Sequence, residues 1–259
     1  MPQSPSAERP LVVKLGGSLW AAPALRDWLS ALRRYAGPLT IVPGGGPFAD
    51  AVRRAQETLR FSDAAAHEMA ILAMEQYGRA LIDLEPELVG ASTPQEAQAA
   101  HERGKAALWR PVAMTRAAPQ IPASWDMTSD SLAAWYAHEA GAGALLLVKS
   151  VDPIGFSPLP HAEGAPKEPS RSTRDRGASL KLPSSFETPA SQAPQDEGSF
   201  SGDTIAAQPI VDLCFAHYAR GLAVFIAGPA DLGTAAETLG RGAIPGAAFD
   251  FTREQSIAS

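Results

Sequence analysis

Leu11-Val12-Val13-Lys14-Leu15-Gly16-Gly17-Ser18 is the stretch that decides the fold. A five-residue apolar run with one lysine is closed by two glycines, and from Ala22 to Tyr35 the apolar residues Leu25, Trp28, Leu29 and Leu32 then recur at helical spacing. The order is strand, glycine turn, helix. Leu39 to Val42 repeats it: a short apolar strand runs into Pro43-Gly44-Gly45-Gly46, and an amphipathic helix follows from about Pro47 to Leu59. Two βα units therefore open the chain. Ser62 and Asp63 cap a longer helix through Ile82, whose second face is available to a partner subunit. Alternation continues with a strand at Leu88 to Ala91, a helix from Pro94 to Gly104 begun by Thr93, and a strand at Ala107 to Trp109. Asp126 to Gly141 reads as a polar lead-in and a helix, and Ala144 to Val148 as a fully apolar strand that delivers Lys149. Such strands suit a parallel sheet covered on both faces.

The composition changes from about Phe156 to Gly202, where Pro, Ser, Thr, Arg and Glu replace any apolar period. This segment reads as a disordered insertion in one domain spanning residues 1–259; a lid or an artefact of the gene prediction would also account for it. Order is expected to resume with a Pro209 to Arg220 helix, a Leu222 to Ile226 strand, a helix at Leu232 to Leu239 and a strand at Ala247 to Phe251.

Bulk properties narrow the function. With 22 Lys and Arg against 28 Asp and Glu the formal net charge is -6, so no general basic field draws the chain to nucleic acid or an anionic membrane. Phosphate chemistry would need locally placed cations. No apolar run approaches the roughly 20 residues of a membrane span, and no secretory segment is visible near Met1. The one cysteine, Cys214, reads as a buried structural thiol, and a reducing cytoplasm fits. The five histidines show no metal-ligand spacing, and no direct metal ligand is expected. Most tryptophans read as core, while Trp125 could wall a ligand pocket.

Three constellations carry chemistry. In Lys14-x-Gly16-Gly17-Ser18, glycines let backbone N–H groups approach phosphate oxygens while the lysine supplies a compact positive charge; a tight turn beside a solvated lysine is the plainer reading. Gly44-Gly45-Gly46 again joins strand to helix, where free amides and the positive helix end favour an anion, or where three glycines merely bend. Thr128-Ser129-Asp130 opens the helix that leads to Lys149-Ser150-Val151-Asp152. There Asp130 is either an ordinary N-cap or a carboxylate that holds two lysines in position. If the strands are parallel, all three lie at the carboxyl edge of one sheet, where open α/β sheets bind ligands.

With these signals in this order, the sequence resembles the amino acid kinase superfamily, which includes acetylglutamate, aspartate and uridylate kinases. The resemblance covers roughly Pro10 to Gly155 and, more loosely, Ser201 to Phe251. It implies an α/β fold, a three-layer αβα sandwich around a mainly parallel central sheet. It also implies ATP and Mg2+, with catalysis by Lys14, Lys149 and Asp130. Gly16, Gly17, Ser18, Ser150 and Asp152 would bind ATP and its phosphates, while Gly44, Gly45, Gly46, Asp50, Thr128 and Ser129 would bind the acceptor. A homo-oligomer is the family habit.

Among branches, PGGGPFAD with Val52-Arg53, WDMTSDSLAAW and Pro209-Ile210-Val211-Asp212 look most like the small kinases of methanofuran biosynthesis. Their acceptor is a furan-methyl phosphate, converted to a diphosphate. Asp50, one turn into its helix, could pair with a substrate ammonium or simply complement the helix dipole. Uridylate kinases carry an arginine soon after the glycine loop, where this chain has Pro47, Phe48, Ala49 and Asp50. The rivals are a uridylate or amino-acid kinase on the same frame, and a non-catalytic nucleotide or oxyanion binding protein.

Overall fold

The computed structural model describes residues 9–152, 211–212 and 214–249. Strand β1 (Leu11–Leu15) leads through a 3-10 turn (Gly17–Ala21) to helix α1 (Ala24–Leu32); β2 (Leu39–Pro43) leads to α2 (Gly46–Leu59) and then α3 (Asp63–Leu84). Next come β3 (Leu88–Ala91), α4 (Pro94–His101), β4 (Ala106–Trp109), α5 (Val112–Arg116), α6 (Ser129–Glu139) and β5 (Ala144–Val148). The last are α7 (Phe215–Tyr218), β6 (Ala223–Ala227), a 3-10 turn (Pro229–Asp231), α8 (Leu232–Gly240) and β7 (Ala247–Phe249).

The seven strands form one sheet in the order β3-β4-β2-β1-β5-β6-β7. Every pairing is parallel except β6 with β7. The chain leaves β1 towards β2 and leaves β5, the other neighbour of β1, towards β6. That divergence makes the carboxyl ends of β1 and β5 a topological switch point, where a crevice opens between loops running in opposite directions.

Side-chain alternation distributes the core. Leu11, Val13, Leu15, Leu146 and Val148 face α1 and α8, together with Tyr77 and Leu81 of α3. Val12, Leu145, Leu147, Val224 and Ile226 face α6 and Phe215 of α7. The middle strands β1 and β5 are buried throughout, which is why they read as continuous apolar runs. Removing a leucine such as Leu146 from water contributes about 1.5–3 kcal/mol. Helix α6 is buried at every position from Asp130 to Ala137, so its alanines allow close approach to the sheet while Tyr136 stacks on Trp109 at 4.6 Å. The mainly parallel sheet with helices on both sides is thus the expected α/β sandwich.

Two expectations change in detail, and one short helix was not expected. Among the described residues of the expected Pro209–Arg220 helix, only Phe215–Tyr218 is helical, because Asp212 caps another element and turns the chain. Helix α5 carried no apolar period and none of its residues is buried. Cys214 is half-buried rather than enclosed. The insertion expected from Phe156 to Gly202 lies outside the described residues, as do the last two residues of the expected Ala247–Phe251 strand.

Candidate active site

Lys14 and Lys149 reach the same face of the sheet by strand parity. Lys14 pairs in parallel register with Leu147, and Lys149 stands two residues beyond Leu147, on the side covered by α6. Helix α6 begins at this carboxyl edge and places Asp130 in its first turn. The three side chains meet there. Lys14 Nζ lies 3.0 Å from Asp130 Oδ1, and Lys149 Nζ donates to Oδ2 at 2.5 Å. Side-chain exposures of 6%, 12% and 7% for Lys14, Lys149 and Asp130 put all three groups out of bulk water. One carboxylate thus faces two ammonium groups and leaves one positive charge over. A buried charge costs several kcal/mol unless compensated, so this arrangement favours an anionic ligand.

The ionisation behaviour follows. Burial pushes the Asp130 carboxyl up, but the ammonium groups of Lys14 and Lys149 together outweigh it and hold it at about 2. Stability from ionised Asp130 is therefore full above its unfolded value near 3.8 and is lost as pH falls through about 2. Burial lowers the Lys149 pKa, with Asp130 and Asp212 opposing that shift and Lys14 adding to it. Its protonated form therefore costs stability, in full below the lowered value and no longer once pH has risen past the unfolded value near 10.5.

The two glycine turns touch. Gly16 N–H donates to Val148 O and Gly44 N–H to Leu15 O, both at 2.9 Å, which binds each loop to the neighbouring strand. A Cβ on Gly44 would fall 2.4 Å from Gly17 N, and one on Gly17 would fall 2.9 Å from Gly46 N. Only bare backbone fits here. Gly46 also has φ of +56° and starts α2, whose first N–H groups have no acceptor within the helix. Ser18 and Ser150 share a hydroxyl hydrogen bond of 2.7 Å that joins the loops after β1 and β5. Gly44→Ala must displace one glycine loop from the other. The expected result is a folded protein with kcat/KM lowered about 100-fold, checked by steady-state kinetics beside a melting curve.

Helix α6 is held by a residue to which the sequence reading gave no role. Asp212 Oδ2 accepts from Thr128 N at 3.2 Å, Thr128 Oγ1 at 2.6 Å and Ser131 N at 3.1 Å. Oδ1 accepts from the Ser131 hydroxyl and from Cys214 N at 3.1 Å. The sequence signal was present: Thr128 and Ser131 display hydroxyls at a helix start, and Asp212 ends a quoted motif. Their separation by more than eighty residues hid the pairing.

The other expected site residues take distinct places. Thr128 is the N-cap of α6, and Ser129 is its first, half-buried residue. Asp152 accepts from Ala230 N at 2.8 Å and lies against Gly228, so it ties the loop after β5 to the turn after β6. Asp50 pairs with Arg53 at 3.0 Å, the Arg53 guanidinium sits 4.6 Å from the Trp125 ring centroid, and the Trp125 indole N–H donates to Gln56 Oε1 at 2.7 Å. A cavity of about 1050 Å3 lies at the opposite edge of the sheet, lined by Arg9, Thr40, His101, Lys105 and Tyr136. It contains none of the expected site residues, and Lys105 there is paired with Glu87. The expected site residues gather at the switch point, not at that cavity.

Two buried ammonium groups about one carboxylate, with paired glycine loops at a parallel-sheet switch point, suit the phosphotransferase class of α/β proteins. The model of the Amino acid kinase family matches residues 9–167, and the chain belongs to that family. It is 30% identical over 149 residues to the (5-(aminomethyl)furan-3-yl)methyl phosphate kinase of Methanocaldococcus jannaschii, a match spanning 55% of this chain and 67% of that protein. Among solved structures it is similar to the uridylate kinase from Archaeoglobus fulgidus, with TM-score 0.44 and 18% identity over 56% of this chain and 64% of that one. It is also similar to the UMP kinase from Ureaplasma parvum, with TM-score 0.44 and 17% identity over 56% of this chain and 71% of that one.

Proposed function

We propose that the protein is an ATP-dependent kinase that converts a small phosphate monoester into a diphosphate, with (5-(aminomethyl)furan-3-yl)methyl phosphate as the acceptor. The carrying observation is the Lys14–Asp130–Lys149 cluster beside touching glycine loops. The choice of acceptor rests on the 30% identity to the furan-methyl phosphate kinase.

In this reading an acceptor phosphate oxygen attacks the γ-phosphorus of ATP, and the bond from that phosphorus to the ADP oxygen breaks. The acceptor oxygen is largely ionised near neutral pH, so little general-base help is needed. What remains is positioning and charge neutralisation. Lys14 and Lys149 neutralise the transferring group, Asp130 holds both, and the amides of Gly17, Gly45 and Gly46 orient donor and acceptor, while Gly16 and Gly44, whose own N–H groups bind neighbouring strand carbonyls, shape the two loops. Ser18 and Ser150 close the donor side through their shared hydroxyl bond. Bound with the nucleotide, Mg2+ would neutralise donor phosphates. Asp130, Asp152 and Asp212 are each engaged by protein donors, which suits a metal held mainly by those phosphates.

Asp50 and Arg53, backed by Trp125, would meet the acceptor as a charge pair, with the carboxylate towards its ammonium. We further place the protein in the cytoplasm, as a homo-oligomer through the face of α3 that exposes Met69 and Leu72. No helix among the described residues is long and apolar enough to cross a membrane.

An acceptor panel tests the reading. ADP release is measured with the furan-methyl phosphate, UMP, acetylglutamate and aspartate. The furan-methyl phosphate is expected to exceed the others by about 100-fold or more in kcat/KM. Preference for UMP would transfer the chain to uridylate chemistry, and silence with all four would favour a binding protein.

A further inference from the structure

We propose that Asp212 is a positioning residue of the phosphoryl-transfer site, fixing Asp130 and sharing in the charge balance of the lysine pair. This rests on the kinase reading above. Asp212 accepts from the Thr128 hydroxyl at 2.6 Å, and Thr128 Oγ1 in turn accepts from Asp130 N at 3.4 Å. It also takes Thr128 N and Ser131 N, the amides that flank Asp130 in the first turn of α6. The backbone bearing Asp130 is thus held from both sides by one carboxylate from a distant part of the chain.

Two consequences follow from this occupancy. The amino-terminal end of α6 is a natural anion site, and Asp212 already fills it. Phosphate anchoring therefore falls to the lysines and to the glycine loops at β1 and β2, not to α6. Secondly, Lys149 feels the charges of Asp130 from α6 and Lys14 from β1 and, more weakly, that of Asp212. Without Asp212 the positive end of α6 and two ammonium groups would share a single carboxylate. Lys149 would then hold its proton less well.

The test uses isotope-labelled lysine in the full chain. The Lys149 resonance is assigned by its absence in Lys149→Arg and titrated by NMR in wild type, Asp212→Asn, Asp212→Glu and Ser131→Ala. Asp212→Asn is expected to move the Lys149 titration to lower pH. Asp212→Glu and Ser131→Ala, which keep the charge, leave it in place. In parallel kinetics, Asp212→Asn is expected to lower kcat about 10- to 100-fold with both KM values within about threefold, the pattern of a group that orients catalytic residues. An ordinary helix cap would lower the melting temperature in Asp212→Asn and Ser131→Ala alike and leave the Lys149 titration unmoved. That result overturns the proposal, as does an unchanged kcat in Asp212→Asn. Should Asp212→Asn not fold, a Lys149 titration displaced in Asp212→Glu overturns it, and one retained beside a reduced kcat supports it. Failure of the kinase reading shows separately, as absence of ADP formation by wild type, while the NMR titration still decides the role of Asp212.

Discussion

Lys149→Ala is expected to lower kcat by about 100- to 1000-fold, the loss seen when one preorganised charged donor is withdrawn from a transition state. The same holds for Lys14→Ala. Either substitution removes the surplus positive charge of the cluster and leaves Asp130 satisfied by the remaining lysine, 3.0 Å away for Lys14 and 2.5 Å for Lys149. Folding should survive. Because burial lowers the Lys149 pKa, its ammonium form is a cost to the native state. The melting temperature of Lys149→Ala is therefore expected to match or exceed that of wild type while turnover collapses. Paired measurements of kcat and thermal unfolding check this, and coupled loss of both would assign Lys149 to structure instead.

Asp130→Asn should do the opposite to stability. It leaves two ammonium groups of 6% and 12% exposure facing each other without their shared counter-charge. Breaking a buried ion pair from one side typically costs about 3–5 kcal/mol, and like-charge repulsion adds to it. The loss should shrink as pH rises and the lysines give up protons, a trend opposite to ordinary alkaline destabilisation. Urea unfolding of Asp130→Asn near neutral pH and again at alkaline pH measures it. A pH-independent deficit would mean that the carboxylate acts by hydrogen bonding alone. In wild type, the contribution of ionised Asp130 should be full above about 3.8 and lost as pH falls through about 2.

The sheet was legible because its middle strands are covered on both faces. Ala144–Val148 was readable to the residue, since a continuous apolar run bounded by glycine and charge leaves few alternatives, whereas the edge strand Leu88–Ala91 was delimited by the charged and polar residues on either side of it. The meeting of Lys14, Lys149 and Asp130 was legible for a related reason. Parallel strands put all their carboxyl ends at one edge, and parity sets the face. What the sequence concealed depends on contacts remote along the chain. Asp212 resembled part of a helix, yet its carboxylate serves a helix more than eighty residues earlier. Gly17 and Gly44 could each be read as a turn, but their backbone contact needs the register of β1 and β2. Trp20 sits in an apolar run and is nevertheless half exposed, because the 3-10 turn after β1 points it away from the core. The Asp50–Arg53 pair was a local i,i+3 contact.

The most direct measurement is a phosphorus NMR time course of ATP with the furan-methyl phosphate, run on wild type and on the Lys14→Ala, Lys149→Ala double variant. Expected from wild type are equal amounts of ADP and a new diphosphate ester, and from the double variant neither above background. Equal product from the two proteins would contradict the role given to the ammonium pair, whatever the identity of the acceptor.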